Sequence, residues 1–113
     1  VMMNDARLGV GLQGLGLSEV AYQHAVHYAT EIRKQGQAID QKISDANVMP
    51  EPVFIIDHPE VRRELLTIKS QVEGARMLAY WTAQQLDLSH RHPDEGARKK
   101  KKKLLDILTP KFR

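Results

Sequence analysis

The chain is predicted to be all-α: two long antiparallel helices plus a short third helix, together forming part of a four-helix bundle. Three observations carry that prediction. Residues 7–36 and 58–91 each hold apolar side chains at alternating steps of three and four, the spacing that stacks side chains along one face of a helix. Hydrophobic residues make up 42% of the 113 residues but aromatics only 5%, so the core is aliphatic and Ala-rich, which suits packed helices. Outside Val53–Ile56 no stretch reads as extended.

The first helix is expected over about residues 5–35. Val10, Gly14, Leu17, Ala21, Ala25, Tyr28 and Ile32 form one stripe, assigned here to the buried side, and Leu8, Leu12, Leu15, Tyr22, Val26 and Ala29 form a second beside it. Asn4 or Asp5 is available as an N-cap, Lys34 suits the C-terminal end of the dipole, and Gly36 can take the left-handed conformation that ends a helix. The run Gly9-Val10-Gly11-Leu12-Gln13-Gly14 matches the dinucleotide-binding fingerprint letter for letter, but no strand precedes it and the helical stripe passes straight through it. Gly9, Gly11, Gly14 and Gly16 are therefore read as places where another backbone approaches. On that reading Gly14→Leu would overpack a crossing, at about 1–3 kcal/mol. The abrupt Val1-Met2-Met3 start suggests a piece of something larger.

Residues 37–57 have no helical or strand period, and Pro50 and Pro52 interrupt any helix. The apolar end of this linker is expected to dock and its middle to be mobile. The second helix, about 58–91, opens with Asp57-His58-Pro59-Glu60, an acidic cap, a Pro in the first turn and a Glu placed as in a capping box. Its stripe is Val61, Leu65, Ile68, Val72, Ala75, Ala79, Thr82 and Leu86, with Met77 and Trp81 on an adjacent face. Pro93 stops it, Asp94 can cap a short third helix over about 94–108, and Leu104, Leu105, Ile107 and Leu108 give that helix its apolar side.

The net charge of +3 comes from 17 basic and 14 acidic residues, and it is local. Without Arg98–Lys103, six consecutive cations, 11 basic residues face 14 acidic ones, so no basic face is spread over the fold. That run is read as a solvated, partly disordered segment; no aromatic is interleaved for base stacking, and neither nucleic acid nor membrane is expected as a partner. With no Cys, disulfides and thiolate metal sites are excluded. No apolar run approaches the ~18 residues of a membrane span, and a cytoplasmic location is expected.

Chemistry is sparse. His24, His27 and Glu31 share a helical face but lack an enclosing cavity or fourth ligand, so no metal is expected there. His90-Arg91-His92-Pro93-Asp94 reads as a helix end, and Glu60, Arg62, Arg63, Glu64, Glu73 and Arg76 as surface ion pairs, with Arg76 nearest the core stripe. No nucleophile–base pair or phosphate loop is present.

Two segments, Asn4 to Ala29 (NDARLGVGLQGLGLSEVAYQHAVHYA) and His58 to Leu88 (HPEVRRELLTIKSQVEGARMLAYWTAQQLDL), resemble the start of the all-helical C-terminal domain of the acyl-CoA dehydrogenases. With the long linker and Leu104 to Pro110 (LLDILTP), the resemblance covers nearly the whole chain and is most like the bacterial branch that includes enzymes of 3-methylmercaptopropionyl-CoA. It implies a flavoenzyme using FAD, in which a Glu takes the α-proton of an acyl-CoA thioester and the flavin accepts the β-hydride. It also implies a homo-oligomer, dimer or tetramer. In some members the base sits at the start of the first helix, but the matching residue here is Ala6, and in most it sits in a Tyr-Glu-Gly motif beyond residue 113. No catalytic residue is therefore expected within this chain, nor tight FAD binding by it alone. The Arg that usually closes the first helix and contacts FAD falls by direct count on Ile32, making Arg33 the candidate if the helix end shifts by one; Arg7 is a supporting group. His58-Pro59 replaces the usual Phe-Gln flavin contact. The alternative is a free-standing helical interaction module whose lysine run meets an acidic surface.

Overall fold

The structure is a computed structural model that describes residues 2–36 and 51–112. It is helical: α1 spans Met2–His27 and runs into a π-helical turn at Tyr28–Ile32, a 3-10 turn covers Ile55–Asp57, α2 spans Pro59–Arg91, α3 spans Glu95–Leu108, and a 3-10 turn follows at Thr109–Phe112. Among the described residues the only β-pairing is the isolated antiparallel bridge between Lys34 and Phe54. The expected mobile middle of the linker falls at 37–50, outside the described residues. By packing the chain divides into a first unit, Val1–Ser18 with Val72–Arg113, and a second, Glu19–Gln71.

In the first unit the core is small and partly polar. Leu8 of α1, Val72 and Ala79 of α2, and Leu105 and Leu108 of α3 are buried, together with Thr82, Gln85 and Thr109. Thr82 disposes of its hydroxyl by donating to the Leu78 carbonyl, 2.7 Å away, the back-bond that lets Thr enter a helical core. Thr109 Oγ1 lies 2.9 Å from the Leu105 carbonyl and 3.2 Å from Asn4 Oδ1, and its single proton serves one or the other. Asn4 Nδ2 donates to Asp106, 3.2 Å, so one Asn joins the first turn of α1 to the end of α3. α3 begins as the sequence reads: Asp94 is its N-cap and accepts from the Gly96 N–H at 3.1 Å.

Three expectations about local structure are corrected. α1 starts at Met2, so Asn4 and Asp5 lie inside the helix rather than capping it. α2 starts at Pro59 with the His58 carbonyl accepting from the Arg62 N–H, 3.1 Å, so His58 and not Asp57 occupies the capping position. Glu60 pairs with Arg63 at 2.7 Å and does not turn back as a capping box would. The basic run is not disordered: residues 98–103 form the middle of α3. Helical spacing there sets Arg98 against Lys101 and Lys102, Lys99 against Lys102 and Lys103, and Lys100 against Lys103, each like-charge neighbour opposing the helix by about 0.2–0.5 kcal/mol.

The largest correction concerns the face of α1. Val10 is 62% and Leu17 73% exposed, and Gly14, Ala21, Tyr28 and Ile32 are exposed too, whereas Leu8 and Ala29 are buried and Leu15, Tyr22 and Val26 half-buried. The second stripe is therefore the more covered of the two, although its Leu12 is exposed and Ala25 of the first stripe is half-buried. On α2, Val72, Ala79 and Thr82 of the expected stripe are buried and Val61, Leu65 and Leu86 half-buried, but Ile68 and Ala75 are exposed. A side-chain carbon added at Gly9, Gly14 or Gly16 would meet nothing within 4 Å, so these glycines do not mark a close crossing in this chain. Gly14→Ala is accordingly expected to raise the melting temperature by several degrees, reflecting ~1 kcal/mol of helix propensity. A lower melting temperature, read by circular dichroism, would restore the close-packing interpretation.

Among the described residues six apolar side chains are buried while fourteen large ones are exposed, most of them on the two long helices.

Candidate functional site

The end of α1 and the start of α2 meet within the second unit, and local chemistry builds the junction. Thr30 donates its hydroxyl to the Val26 carbonyl at 2.7 Å, a side-chain bond that competes with the regular helical ladder. There the ladder widens: the Arg33 N–H reaches back five residues to the Tyr28 carbonyl, 2.9 Å, closing a π turn. Arg33 itself is extended (φ −93°, ψ 120°) and ends the helix. A π turn takes up one residue more than an α turn.

Beyond Arg33 the chain pairs with the far end of the linker. The Gln35 N–H donates to Val53 (2.8 Å), the Val53 N–H to Gly36 (3.2 Å), and the Ile55 N–H to Arg33 (3.0 Å). Val53, Phe54, Ile55 and Ile56 are half-buried, so the apolar end of the linker docks as its composition predicts. Lys34 Nζ sits 4.7 Å from the centre of the Phe54 ring, a cation–π contact that fixes the ring beside the bridge. Gly36 is the single residue with positive φ, 75°, among those described, and a side-chain carbon there would come within 2.9 Å of His58 Cε1. The His58 ring nitrogen is hydrogen-bonded to the Gln35 carbonyl. Arg62 then ties the 3-10 turn to α2, donating from Nε to the Ile56 carbonyl (2.8 Å) and lying 3.5 Å from Asp57.

The junction thus gathers Arg33, Lys34, His58 and Arg62 on one locally paired segment. Arg62 is held by Asp57 and Ile56, and His58 by Gln35. The exposed guanidinium of Arg33 donates to Gln35 Oε1 at 3.1 Å and has no carboxylate partner among the described residues. A cation left with only an amide partner is chemically free to receive an anion. Periodicity and spacing did not single out this junction, because it depends on the π turn and on a pairing across the linker. Its sequence-level signal was Gly36 followed, past the linker, by the short apolar run Val53–Ile56.

The other proposed positions lie in the first unit. Arg7 is half-buried on α1, and Ala6 is exposed beside it. Nearby, Asn4, Leu86, Ser89, His90, Lys102, Leu105 and Asp106 line a cleft of about 230 Å³. Ala6 is not among the residues that line this cleft, and its methyl side chain offers no proton acceptor. In the second unit His27 pairs with Glu31 at 3.1 Å, and among the described residues no three potential ligands gather into a metal-binding group. Arg76 is 3.7 Å from Glu73. His92 Nδ1 accepts from the Asp94 N–H, 3.1 Å, in the turn before α3.

No family model matches the chain. Among curated proteins it is 42% identical over 110 residues to a 3-methylmercaptopropionyl-CoA dehydrogenase of Ruegeria pomeroyi, covering 97% of this chain and 17% of that protein. A butyryl-CoA dehydrogenase of Syntrophomonas wolfei is 31% identical over 109 residues, covering 96% of this chain and 17% of the relative. A broad-specificity linear acyl-CoA dehydrogenase of Mycobacterium tuberculosis is 35% identical over 82 residues, 73% of this chain and 13% of the relative. The chain therefore spans about one sixth of the length of the curated relatives it matches.

Proposed function

From the premise that this chain is homologous to one segment of the acyl-CoA dehydrogenases, we propose that it is part of the C-terminal helical domain of such an enzyme. On this reading the intact protein is an FAD-dependent oxidoreductase that dehydrogenates an acyl-CoA thioester at Cα–Cβ and acts as a homo-oligomer. The unmatched apolar faces of α1 and α2 are then surfaces that other parts of the enzyme cover. This chain does not supply the proton acceptor, since Ala6 stands at the one matching position.

The observation that carries the reading furthest is the π turn at Tyr28–Ile32, because a turn one residue wider than an α turn supports assigning the flavin contact to Arg33 in place of Ile32. The junction suits that role chemically. Arg33 is exposed and lacks a carboxylate partner among the described residues, and a guanidinium presents planar paired donors to a phosphate. Lys34 adds a second cation at the same segment, while the backbone pairing with Val53 and Ile55 fixes where both emerge. When bound, the flavin would supply the hydride acceptor; the part of Arg33 and Lys34 is to hold an anionic group, and that of Gly36 and His58 is to fix the turn that presents it. His58-Pro59 stands where relatives of this fold usually place a Phe-Gln flavin contact, so Arg33 carries more of the binding here.

In the full-length enzyme Arg33→Gln is expected to weaken flavin retention about 10- to 100-fold, the scale of one charge-assisted hydrogen bond, with Arg33→Lys recovering only part of it. The 113-residue chain alone is expected to show neither acyl-CoA-dependent dye reduction nor stoichiometric flavin absorbance. Turnover by that chain, or full flavin occupancy in the Arg33→Gln enzyme, would refute the reading.

A further inference from the structure

α3 converts the basic run from a charged segment into a shaped surface. Its inner side is Leu105 and Leu108, with Ala97, Lys101 and Leu104 half-buried around them. Lys99, Lys100 and Lys103 project to solvent on the opposite side, Lys102 lies exposed at its edge, and Ile107, 66% exposed, follows Lys103 by four residues and Lys100 by seven. We propose that this solvent face of α3 docks peripherally on an anionic phospholipid surface.

Four observations select that partner. The cations are little neutralised from within the first unit: Glu95 reaches Lys99 only at 3.9 Å, and Asp106, on the same side of the helix, is engaged by Asn4. The face is the convex side of a helix, and a cleft that touches α3 takes in Lys102 and Asp106 but none of Lys99, Lys100 and Lys103. Residues 95–108 hold no aromatic, and the one Arg there, Arg98, is half-buried, so base stacking is not provided for. A second copy is a poorer match: among the described residues the helically spaced acidic row Asp57, Glu60 and Glu64 is interleaved with Arg62 and Arg63, which already pair with the first two.

A flat anionic surface fits what remains. Several lysines on one helix face suit an anionic leaflet, and an exposed Ile among them suits the boundary between headgroups and chains. Neutralisation by the surface would also relieve the mutual repulsion of the lysines. The association is peripheral, since no helix among the described residues is long and apolar enough to cross a membrane. It replaces the expectation of no membrane partner, which treated the run as partly disordered, and it is independent of the dehydrogenase reading.

The test is co-sedimentation of the 113-residue chain with vesicles of phosphatidylcholine alone and with ~30 mol% phosphatidylserine, at ~0.1 M salt. Binding is expected only to the anionic vesicles and is expected to fall as salt rises. The triple variant Lys99→Gln, Lys100→Gln, Lys103→Gln should lose about 5-fold per lysine, on the order of 100-fold in all, with its helicity retained by circular dichroism. Ile107→Ser should weaken binding while leaving its salt dependence unchanged. Absence of binding to the anionic vesicles, retention of binding by the triple variant, or binding of inorganic tripolyphosphate without vesicle binding each overturns the proposal. The salt titration of the unaltered chain decides the matter even if a variant misfolds.

Discussion

Gly36→Val is expected to destabilise the second unit by about 3 kcal/mol, because a β-branched residue is forced into a left-handed conformation it rarely adopts. The backbone there has φ 75°, and the new side chain would also start 2.9 Å from His58 Cε1. The ring has little room to yield, being hydrogen-bonded to the Gln35 carbonyl one residue before the glycine. Relief therefore requires opening the Gln35–Val53 and Gly36–Val53 pairing that joins the linker to the end of α1. Urea titration followed by far-ultraviolet circular dichroism measures the effect. Gly36→Asn, which tolerates positive φ, should lose clearly less than the Val variant. Equal loss in the two would place the strain in the His58 contact instead of the backbone.

Leu105→Ala is expected to cost about 2–5 kcal/mol and to release α3 from the first unit. Leu105 is 2% exposed, and its carbonyl also receives the Thr109 hydroxyl, so the cavity would form where α3 is both packed and hydrogen-bonded. Little else in α3 compensates. Beyond Leu105 the helix is held by Leu108, the Asn4–Asp106 hydrogen bond and the Asp94 cap, while its cations repel one another. The measurement is the loss of helical signal and the thermal midpoint, with Ile107→Ala as the control expected to change stability by less than about 0.5 kcal/mol. A Leu105→Ala chain that melts like its parent would show that Leu108 and Thr109 suffice to seat α3.

The elements of the fold were legible because each rested on short-range signals. Pro59 and Pro93 bracket α2 and Asp94 caps α3, whereas Gly36, expected to end the first helix, takes its positive φ three residues beyond Arg33, where the helical segment stops. The resemblance to acyl-CoA dehydrogenases was legible for the same reason, since it rests on two contiguous stretches of sequence, and the curated relatives match across both. The orientation of α1 was not. Apolar residues occupy both of its stripes and no charged stripe marks the outer side, so the pattern has almost no direction to read. In α3, where lysines and leucines separate cleanly, Leu105 and Leu108 fall on the inner side as expected, while Ile107, which the sequence grouped with them, turns outward.

By itself, then, the sequence determined helix type and number, the stops between helices and the family likeness, because propensity, capping and contiguous motifs act over a few residues. Tertiary structure decided which stripe of α1 is covered, since either would pack and only the neighbours choose. It decided that Gly9, Gly14 and Gly16 of α1 stand in open space, because their use depends on a partner's distance and not on their own spacing. It also decided how the first helical segment ends, where a widened turn and a pairing with residues about twenty positions away, neither of them encoded by periodicity, leave Arg33 in extended backbone.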